Sequence, residues 1–469
     1  MATTSSKDTW AIVMMAGMGT RMKSDQVKVL HDICGQPMAK WVLDSCDRAG
    51  LTNRVIVVGH QAGKLMEKFP GETFAVQEPQ KGTGHAVMVG MEKVPLDAKN
   101  IVILSGDVPC LDTITIEAMI AYHAENDIAA TILSFFPPDP CGYGRIIRDS
   151  GDAVLSIVED KDLKGDQREI EECNSGIYVF DRAKLGNSLA KMEPSERSGE
   201  YHLPDAVLNM IESRGVGSVH AVAVDEWMEA MGVNSRVELA EATDFLRWRI
   251  CEAHMASGVT IVDPPSTWIG PDAKLGRDSV IHPGCIIMGA TEIGEGCSIG
   301  PYTELQSVIV ARNCRIMHSV LEECRIDDDV KIGPYAHIRP GTRIREGARV
   351  GNFVEMKKTD FGERSKSGHL TYLGDTVVGK DVNVGAGTIT CNFDGESKNV
   401  TEIEDGVFVG SDTILVAPIR IGHDAYTAAG STLTKDVPPF ALAFGRARQT
   451  VKDDWVKKRK MKKKDINDD

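Results

Sequence analysis

The sequence predicts a two-part protein: an α/β half with a doubly wound, mostly parallel sheet, then a linker helix, then a second half coiled as a parallel β-helix. In the first half, short apolar runs alternate with stretches of helical spacing. In the second half, aliphatic residues recur every six positions. Glycine makes up 45 of 469 residues, above the usual ~7%, which fits a chain with many tight turns.

Composition and charge exclude several classes of protein. Apolar residues make up 42% and charged residues 26%, as in ordinary globular proteins. The formal net charge of −15 disfavours a general nucleic-acid binder, because an acidic surface repels phosphate. The absence of any C-x-x-C spacing argues against a zinc ribbon. Eleven scattered cysteines favour a reducing, cytoplasmic compartment. We expect neither a secretory signal nor a membrane partner, because no apolar stretch approaches the length of a span.

The first half is predicted to alternate strands and helices as far as residue 135. Buried parallel strands are indicated by short apolar runs, and helices by a longer apolar period. The predicted strands cover 10–15, 54–59, 73–77, 100–105 and 128–135, and the predicted helices cover 37–49, 60–69, 83–94 and 112–126. Such a sheet binds ligands at the carboxyl ends of its strands.

The end of the first predicted strand carries a pattern suited to phosphate. Gly17 and Gly19 allow backbone N–H groups to approach phosphate oxygens, and Arg21 and Lys28 can neutralise their charge. The pattern is neither the dinucleotide fingerprint, because Met22 stands where its third glycine would be, nor a P-loop. Taken alone, it also fits an ordinary tight turn.

A second strand end carries a candidate metal ligand. Asp107 follows the apolar run 100–105. A carboxylate at the end of a parallel strand suits Mg²⁺, which prefers carboxylate oxygen and shares its shell with substrate phosphate. An isolated aspartate here also fits a solvated turn.

The second half begins after a helix predicted over residues 237–256 and is organised by a six-residue repeat. Aliphatic residues keep this spacing from Ile269 to Leu305, from Val320 to Val350, and from Ile403 to Leu433 with Thr427 as an exception. Each repeat is predicted to form one face of a triangular coil, with the aliphatic residue inside and a small or left-handed residue at the corner that follows.

Two segments interrupt this repeat. Over residues 356–376 we expect the aliphatic register to be lost, and His369 lies among lysines and Tyr372. Residues 391–401 read as an inserted loop with Asn392 and Lys398. A solenoid interrupts its pattern mainly for a site or a subunit contact, although a lone histidine is often structural.

Both halves closely resemble the bacterial bifunctional enzymes that make UDP-N-acetylglucosamine. The resemblance extends from about residue 10 to residue 450. It rests on AGMGTRMKS…KVLH, GTGHA (82–86), GDVP (106–109), GYGRI (142–146), IVEDKD (157–162), NSGI (174–177), GVNSR (232–236), RPGT (339–342), VGNFVEMKK (350–358), SGHLTYLGD (367–375), VGAGTITCNFDG (384–395) and VFVGSD (407–412). It implies a nucleotidyltransferase domain (1–235), a linker helix (236–257), a left-handed β-helix acetyltransferase domain (258–450) and a charged tail (451–469).

For the first half, the resemblance implies Mg²⁺-dependent uridylyl transfer from UTP to N-acetylglucosamine-1-phosphate. Arg21 and Lys28 would be the catalytic cations, and Asp107 and Asn234 would hold the metal. Further substrate contacts are implied for Gly17 and Gly19 at the phosphates, for Gln77, Gly82 and Thr83 at the uracil, and for Gly144, Glu159 and Asn174 at the sugar.

For the second half, the resemblance implies acetyl transfer from acetyl-CoA to glucosamine-1-phosphate, with His369 as general base, in a homotrimer. A histidine titrates in the range needed to take a proton from the amine. The sugar phosphate would contact Arg339, Lys357 and Lys398, in a pocket completed by Tyr372 and Asn383, and Asn392 would orient the amine. The coenzyme would contact Ala386, Ser411, Ala429 and Arg446.

Three residues depart from the family pattern, namely Met15, Val27 and Phe393. Val27 stands where a proline commonly stiffens the loop before the lysine, and Phe393 lacks a tyrosine hydroxyl. The tail 457–464 has seven basic residues in eight, and a frayed, solvated segment is favoured over a contact with coenzyme phosphates or RNA.

Two alternatives stay open. One is a sugar-1-phosphate nucleotidyltransferase whose β-helix is only a scaffold. The other is a non-enzymatic assembly subunit of the same two-domain plan, which the retained phosphate-binding residues Arg21, Lys28 and Asp107 disfavour.

Overall fold

The computed structural model describes residues 8–17 and 19–465, with side chains as far as residue 462. The chain separates into two compact units, Met1–Ile250 and Cys251–Asp469. The domain limits expected at residues 235, 257 and 450 stay predictions.

The first unit contains all nine predicted elements, with ends displaced by at most three residues. Its strands are β1 (Thr9–Met14), β2 (Asp32–Ile33), β3 (Gln36–Pro37), β4 (Arg54–Val58), β5 (Thr73–Val76), β6 (Asn100–Ser105), β7 (Ala130–Phe135), β8 (Arg145–Arg148), β9 (Val154–Val158), β10 (Cys173–Asp181) and β11 (Val219–Ala223). Its helices are α1 (Met38–Arg48), α2 (Ala62–Lys68), α3 (Thr83–Met91), α4 (Thr113–Asn126), α5 (Arg182–Leu189) and α6 (Leu203–Arg214), and α7 (Arg236–Ala256) follows them.

The main sheet has the strand order β11-β7-β10-β6-β1-β4-β5. Neighbouring strands are parallel except at β10, which runs antiparallel to β6 and β7. Successive residues of β1 point to opposite sides of the sheet, so Ala11 and Val13 pack in one apolar cluster and Ile12 packs in another. Helices cover the sheet on both faces and complete these two clusters. The carboxyl ends of β1, β4, β5 and β6 therefore meet at one edge.

The second unit is a coil of short strands that pair in parallel with the strand one turn later. Face one consists of β12 (Thr260–Ile261), β15 (Val280–Ile281), β18 (Ser298–Ile299), β21 (Arg315–Ile316), β24 (Lys331–Ile332), β27 (Arg349–Lys357), β29 (Lys366–Gly374), β31 (Asn383–Val384), β34 (Phe408–Val409), β37 (Tyr426–Thr427) and β39 (Leu442–Ala443). Face two consists of β13 (Trp268–Ile269), β16 (Ile286–Met288), β19 (Glu304–Gln306), β22 (Val320–Glu322), β25 (His337–Ile338), the second halves of β27 and β29, β32 (Ile389–Cys391), β35 (Ile414–Val416) and β38 (Thr432–Leu433). Face three consists of β14 (Lys274–Leu275), β17 (Glu292–Ile293), β20 (Ile309–Val310), β23 (Arg325–Ile326), β26 (Arg343–Ile344), β28 (Asp360–Phe361), β30 (Thr376–Val378), β33 (Thr401–Ile403) and β36 (Ile419–Ile421).

The inward column of this coil corrects two predictions. Leu321 is fully buried, whereas Val320, predicted to point inward, is 37% exposed. The register is also not lost over 356–376, because Met356, Phe361 and Leu373 are completely buried. The reason is the same in both places: some steps from one face to the next take five residues instead of six, as from Met356 to Phe361, and the column continues through them.

Some glycines that follow inward residues have the predicted left-handed backbone, as Gly300 and Gly333 do with a φ of +97°, but others have a different cause. A Cβ atom on Gly351 would lie 1.9 Å from the carbonyl oxygen of Gly368 in the next turn of the coil. The close approach of neighbouring turns, rather than a left-handed backbone, therefore requires glycine here. Left-handed corner positions do occur, but two residues after such glycines, as at Asp381 and Asp424.

The basic tail forms a helix, α8 (Trp455–Asp465), whose described side chains are exposed. The tail is therefore solvated, as predicted, but helical and not frayed, since arginine and lysine are good helix formers even without a packed face. Among the described residues, none of the helices combines the length and the apolar character that crossing a membrane requires.

Candidate functional sites

A cavity of about 360 Å³ lies at the edge where β1, β5 and β6 end. Parallel strands bring their carboxyl ends together, so residues far apart in sequence share its wall. Its lining includes six of the predicted residues: Gly17, Lys28, Gln77, Gly82, Thr83 and Asp107.

Lys28 connects the two predicted metal ligands. Its Nζ forms an ion pair with the Asp107 carboxylate and donates to Asn234 Oδ1 at 3.0 Å. The side chains of Lys28 and Asp107 are only 11% and 15% exposed, so the pair is shielded from water. Ser105 Oγ donates to Asp107 Oδ1 at 2.5 Å and fixes the carboxylate.

The oxygens of Asp107 and Asn234 both face the Lys28 ammonium, which carries a positive charge between them. One carboxylate oxygen and one amide oxygen match the ligands of Mg²⁺, which leaves most of its shell to water and substrate phosphate. Within the described residues, no group of three or more His, Cys, Asp or Glu side chains could hold a metal. The donor set therefore fits a magnesium ion shared with a phosphorylated substrate.

Asn234 is held by the start of α7. Glu238 Oε2 accepts from the backbone N–H groups of Asn234 and Ser235, at 2.7 and 2.6 Å. Ser235 Oγ accepts in turn from the Glu238 N–H at 3.3 Å. This arrangement is a capping box, and Ser235 followed three residues later by Glu238 is its signal in the sequence.

The loop after β5 forms the opposite wall of the cavity. Gln77 Nε2 donates to the carbonyl oxygen of Gly82 at 2.9 Å. Gly82 has a φ of +91°, and a Cβ there would lie 2.6 Å from the carbonyl oxygen of Tyr201, so only glycine fits. Gln80, which sequence reasoning missed, donates to the carbonyl oxygen of Ala16 and joins this loop to the end of β1.

The predicted sugar residues gather beside β8, β9 and β10. The backbone N–H of Asn174 donates to the Gly144 carbonyl at 2.8 Å, and Glu159 directly follows β9. Asn174 Nδ2 donates to the hydroxyl of Tyr178 at 2.8 Å, and burial raises the pKa of that phenol, so it stays neutral. These residues are not part of the cavity lining.

The remaining predicted residues of this unit, Gly19 and Arg21, lie between β1 and Lys28 in the chain. Arg21 is exposed in a short 3-10 turn and has no hydrogen bond or ion pair within the described residues. Gly19 has a φ of +59°, and a Cβ there would lie 2.6 Å from Cβ of Lys28. Gly19 thus lets the Lys28 side chain pass close to the loop, while Arg21 is free to reach a ligand.

In the second unit, the long strands β27 and β29 place a histidine beside an amide. Asn352 and His369 are opposite each other in the parallel register, and Asn352 Oδ1 lies 2.8 Å from His369 Nδ1. Because an amide oxygen can only accept, this contact favours the neutral tautomer with the proton on Nδ1 and the lone pair on Nε2. His369 is exposed, so this nitrogen can accept a proton from a ligand.

A polar cluster continues along face two from this histidine. Arg339 donates to Glu355 Oε1 at 2.7 Å, and Glu355 is opposite Tyr372 in the register. Asn392 Nδ2 donates to Asp375 Oδ2 at 2.6 Å. Sequence reasoning missed both carboxylates, because nothing in a single sequence shows which residues of neighbouring turns face each other.

Tyr372 and Asn392 converge over Gly374. A Cβ on Gly374 would lie 2.5 Å from the Tyr372 hydroxyl and 2.6 Å from Asn392 Nδ2. Lys398 lies with its Nζ 4.6 Å from the centre of the Phe393 ring. The phenyl ring thus positions this ammonium through a cation–π contact, which needs no hydroxyl group. For Lys357, no ion pair or hydrogen bond of the side chain is found within the described residues.

The residues expected at the coenzyme lie on one corner of the coil in successive turns. The N–H of Asp412 donates to the Ala386 carbonyl at 2.6 Å, and the N–H of Gly430 donates to the Ser411 carbonyl at 2.8 Å. Arg446 donates to the Ala429 carbonyl at 2.9 Å. The structure therefore aligns these four predicted residues along the corner, and Asn383 lies on the adjacent face one. A larger cavity of about 500 Å³ lies on face three, around Glu402 and His423, and contains none of them.

Both halves of the chain match known protein families. Residues 11–165 match the MobA-like NTP transferase domain family. Residues 272–307 and 323–358 match the bacterial transferase hexapeptide family of six repeats, and 400–435 match the hexapeptide repeat of succinyl-transferase. These matches, with the parallel strands in three ladders, confirm the predicted fold class: a Rossmann-like α/β nucleotidyltransferase unit, a linker helix and a left-handed parallel β-helix.

Curated relatives cover almost the whole chain. The bifunctional protein GlmU of Geobacillus thermodenitrificans is 45% identical over 97% of this chain and 99% of its own. The protein of that name from Heliobacterium modesticaldum is 46% identical over 95% of this chain and 97% of its own. The one from Caldanaerobacter subterraneus is 46% identical over 96% of this chain and 98% of its own.

Proposed function

The chain belongs to the family of the bifunctional protein GlmU, and from that premise we propose how its two units divide the chemistry. It is a bifunctional enzyme with a nucleotidyltransferase half for uridylyl transfer and a hexapeptide half for acetyl transfer. We propose that glucosamine-1-phosphate is acetylated first, with acetyl-CoA as donor. The N-acetylglucosamine-1-phosphate then reacts with UTP to give UDP-N-acetylglucosamine and pyrophosphate.

In the uridylyl transfer, the sugar-phosphate oxygen attacks the α-phosphorus of UTP and pyrophosphate leaves, without a covalent enzyme intermediate. Lys28 contacts the phosphates from the wall of the cavity, and Arg21 reaches them from its exposed turn to stabilise charge on the leaving group. Asp107 and Asn234 would hold Mg²⁺, which supplies further neutralisation of phosphate charge when it is bound. Gly17 and Gly19 allow the backbone to approach the phosphates.

The substrate's two ends are held on either side of these phosphates. We assign the uracil to the wall formed by Gln77, Gly82 and Thr83, because Gln77 is fixed there by its bond to Gly82. The sugar is assigned to Gly144, Glu159 and Asn174, which lie together beside β10. Positioning of this kind supplies much of the rate enhancement for a reaction that needs no covalent partner.

In the acetyl transfer, His369 Nε2 takes a proton from the amine of glucosamine-1-phosphate. The amine nitrogen of the sugar then forms a bond with the thioester carbon. The carbon–sulfur bond breaks, and the coenzyme leaves as the thiol after taking up a proton. Asn352 supports this role because it keeps the proton of the imidazole on Nδ1. The sugar phosphate is assigned to the cluster of Arg339, Lys357, Tyr372, Asn383 and Lys398, and Asn392 is assigned to orient the amine. Acetyl-CoA is assigned to Ala386, Ser411, Ala429 and Arg446.

The observation that carries the proposal is that the convergent Lys28–Asp107–Asn234 group and the oriented His369 belong to different compact units. We therefore expect His369→Ala to lower acetyl transfer by about 10²–10⁴-fold, the usual worth of a general base, and to spare uridylyl transfer. Arg21→Ala should do the reverse. The assays use acetyl-CoA with glucosamine-1-phosphate, and UTP with N-acetylglucosamine-1-phosphate.

Matched controls are available on the same surfaces. Lys23→Ala removes another exposed cation near Arg21, and His337→Ala removes another histidine of face two, so both should retain both activities. A folded single variant that loses both reactions would contradict the two-site proposal. A wild-type chain without acetyl transfer would instead support a nucleotidyltransferase with a scaffold coil.

We further propose a homotrimer that works in the cytoplasm. A column of exposed apolar residues, Tyr302, Tyr335, Phe353 and Leu370, marks one corner of the coil and supports contact with another copy. Native mass spectrometry should give three times the 51.0 kDa of one chain. The eleven cysteines are all free thiols, which supports a reducing compartment.

A further inference from the structure

Face one of the coil carries cations that the fold does not neutralise. Ten arginines occur from Arg277 to Arg420, all in the described part of the chain, and eight of them form an ion pair with a carboxylate. The two exceptions are Arg315 and Arg349. Both lie on face one, and Lys331 lies between them on the strand that separates theirs.

These cations form a ladder along four successive strands. Arg315, Lys331, Arg349 and Lys366 are directly opposite one another in the parallel register. Neighbouring strands are about 4.8 Å apart, so like charges in this arrangement repel. No hydrogen bond or ion pair of these four side chains is found within the described residues.

The other faces show how the same fold usually handles such charges. On face three, Lys274 is opposite Glu292 and pairs with it at 2.8 Å. Arg343 pairs with Asp327 at 2.8 Å. The ladder on face one is therefore an exception, because no ion pair with a carboxylate of the described residues offsets the repulsion between its cations.

Three of the four cations also line a concave surface. Arg315, Lys331 and Arg349 surround a groove of about 350 Å³, whose floor includes Met317 and Pro334. This volume is in the range of small-molecule sites. None of the residues assigned to uridylyl or acetyl transfer lines the groove.

We propose that this groove binds a small molecule that carries two or more linked phosphoryl groups. A row of cations matches a chain of phosphates, whereas a single phosphate reaches only part of it. Arginine is suited to this task because its planar guanidinium donates two parallel hydrogen bonds to phosphate oxygens. The ligand would neutralise the ladder, which explains why an acidic chain of net charge −15 keeps these cations unpaired.

The test compares two triple variants of the full chain. Arg315→Gln/Lys331→Gln/Arg349→Gln removes the groove cations, and Lys274→Gln/Arg325→Gln/Arg343→Gln removes three cations from face three as a matched control. The probe is tripolyphosphate, titrated by calorimetry. The wild type and both triple variants contain the other phosphate sites. We therefore expect only the groove variant to bind one tripolyphosphate fewer per chain than the wild type. Equal stoichiometry and affinity in the three proteins would overturn the proposal.

Folding is checked by thermal unfolding. The groove variant should melt at or above the wild-type temperature, because a repulsion has been removed. If it fails to fold, the single variant Lys331→Gln replaces it, and we expect its affinity for tripolyphosphate at this site to fall by about tenfold, the worth of one charged hydrogen bond. Unchanged affinity in that variant would also overturn the proposal.

Competition identifies the source of the phosphates. If coenzyme A displaces tripolyphosphate from the groove, the KM for acetyl-CoA should rise in the groove variant with kcat unchanged. If UTP displaces it, acetyl transfer should not change. If an RNA oligonucleotide displaces it and neither small molecule does, the assignment to a small molecule is wrong.

Discussion

His369 shows how one neighbour determines the chemistry of a residue. The imidazole is exposed, and its orientation comes from Asn352, which lies 17 residues earlier on the adjacent strand. The amide oxygen holds the proton on Nδ1, so the free lone pair belongs to Nε2. Asn352 is therefore a positioning residue, and its contribution should appear in the rate of acetyl transfer.

We predict that Asn352→Ala lowers kcat for acetyl transfer by about tenfold, roughly the worth of one hydrogen bond to a group that becomes charged. KM for both substrates should change little, and uridylyl transfer should stay at the wild-type level. Steady-state kinetics of both reactions provide the measurement.

Asn352→Asp serves as the conservative rescue, because a carboxylate also accepts from Nδ1. It should restore most of the kcat that the alanine variant loses. If the alanine and aspartate variants were equally slow, the orienting role assigned to Asn352 would be wrong.

Some residues of the candidate sites can be predicted from the sequence and others cannot. Asp107 stands out at the end of a predicted strand and Lys28 stands out after the glycine pattern, and the structure brings them together. Asn352, Glu355 and Asp375 remain hidden, because their importance depends on which side chains face one another across neighbouring turns. That information lies in the register between turns, which a six-residue period does not fix when some steps from one face to the next take five residues.

At the scale of the element, the first turn of α7 links helix stability to the predicted metal site. Glu238 caps the helix and, with the same oxygen, holds the backbone of Asn234. Removal of this side chain should therefore affect both the free energy of unfolding and the alignment of Asn234 Oδ1.

We predict that Glu238→Ala lowers the free energy of unfolding by about 1 kcal/mol, as expected for loss of a cap. It should also raise several-fold the Mg²⁺ concentration needed for half-maximal uridylyl transfer. Denaturant titration and metal titration are the measurements.

Glu241→Ala is the matched control, because Glu241 is exposed on the same helix and takes no part in the cap. Acetyl transfer should be unchanged in both variants. An equal metal requirement in the wild type and Glu238→Ala would show that the cap does not position Asn234.

Elements of the first unit are predictable because each has a local signal, such as the apolar run 100–105, which is observed as β6 without change. Elements of the coil are predictable as a class but not in register. Val320 and Leu321 are both aliphatic, and only the contact with the preceding turn decides which one is buried.

At the scale of the whole molecule, burial separates the eleven thiols into two classes. Cys141 and Cys391 are exposed, and the other nine are buried. Burial raises the pKa of Cys46 and of Cys110 to about 12, so these thiols stay protonated and unreactive at neutral pH.

We predict that a thiol reagent labels two cysteines rapidly in the native chain and the remaining nine only after unfolding. Mass spectrometry of labelled peptides should identify Cys141 and Cys391 as the rapid pair. A variant in which both are replaced by serine should show no rapid phase. Rapid labelling of Cys46 or Cys110 in the native chain would contradict the burial described above.

The contact between neighbouring turns of the coil, seen where Gly351 meets Gly368, has a thermodynamic consequence. Each turn touches only the turns before and after it, so the free energy of this unit accumulates along one dimension, as nearest-neighbour terms do in an Ising chain. A destabilising substitution in one turn weakens the coupling between the segments of the coil that precede and follow it. The coil then melts in segments, and a single midpoint no longer describes its unfolding.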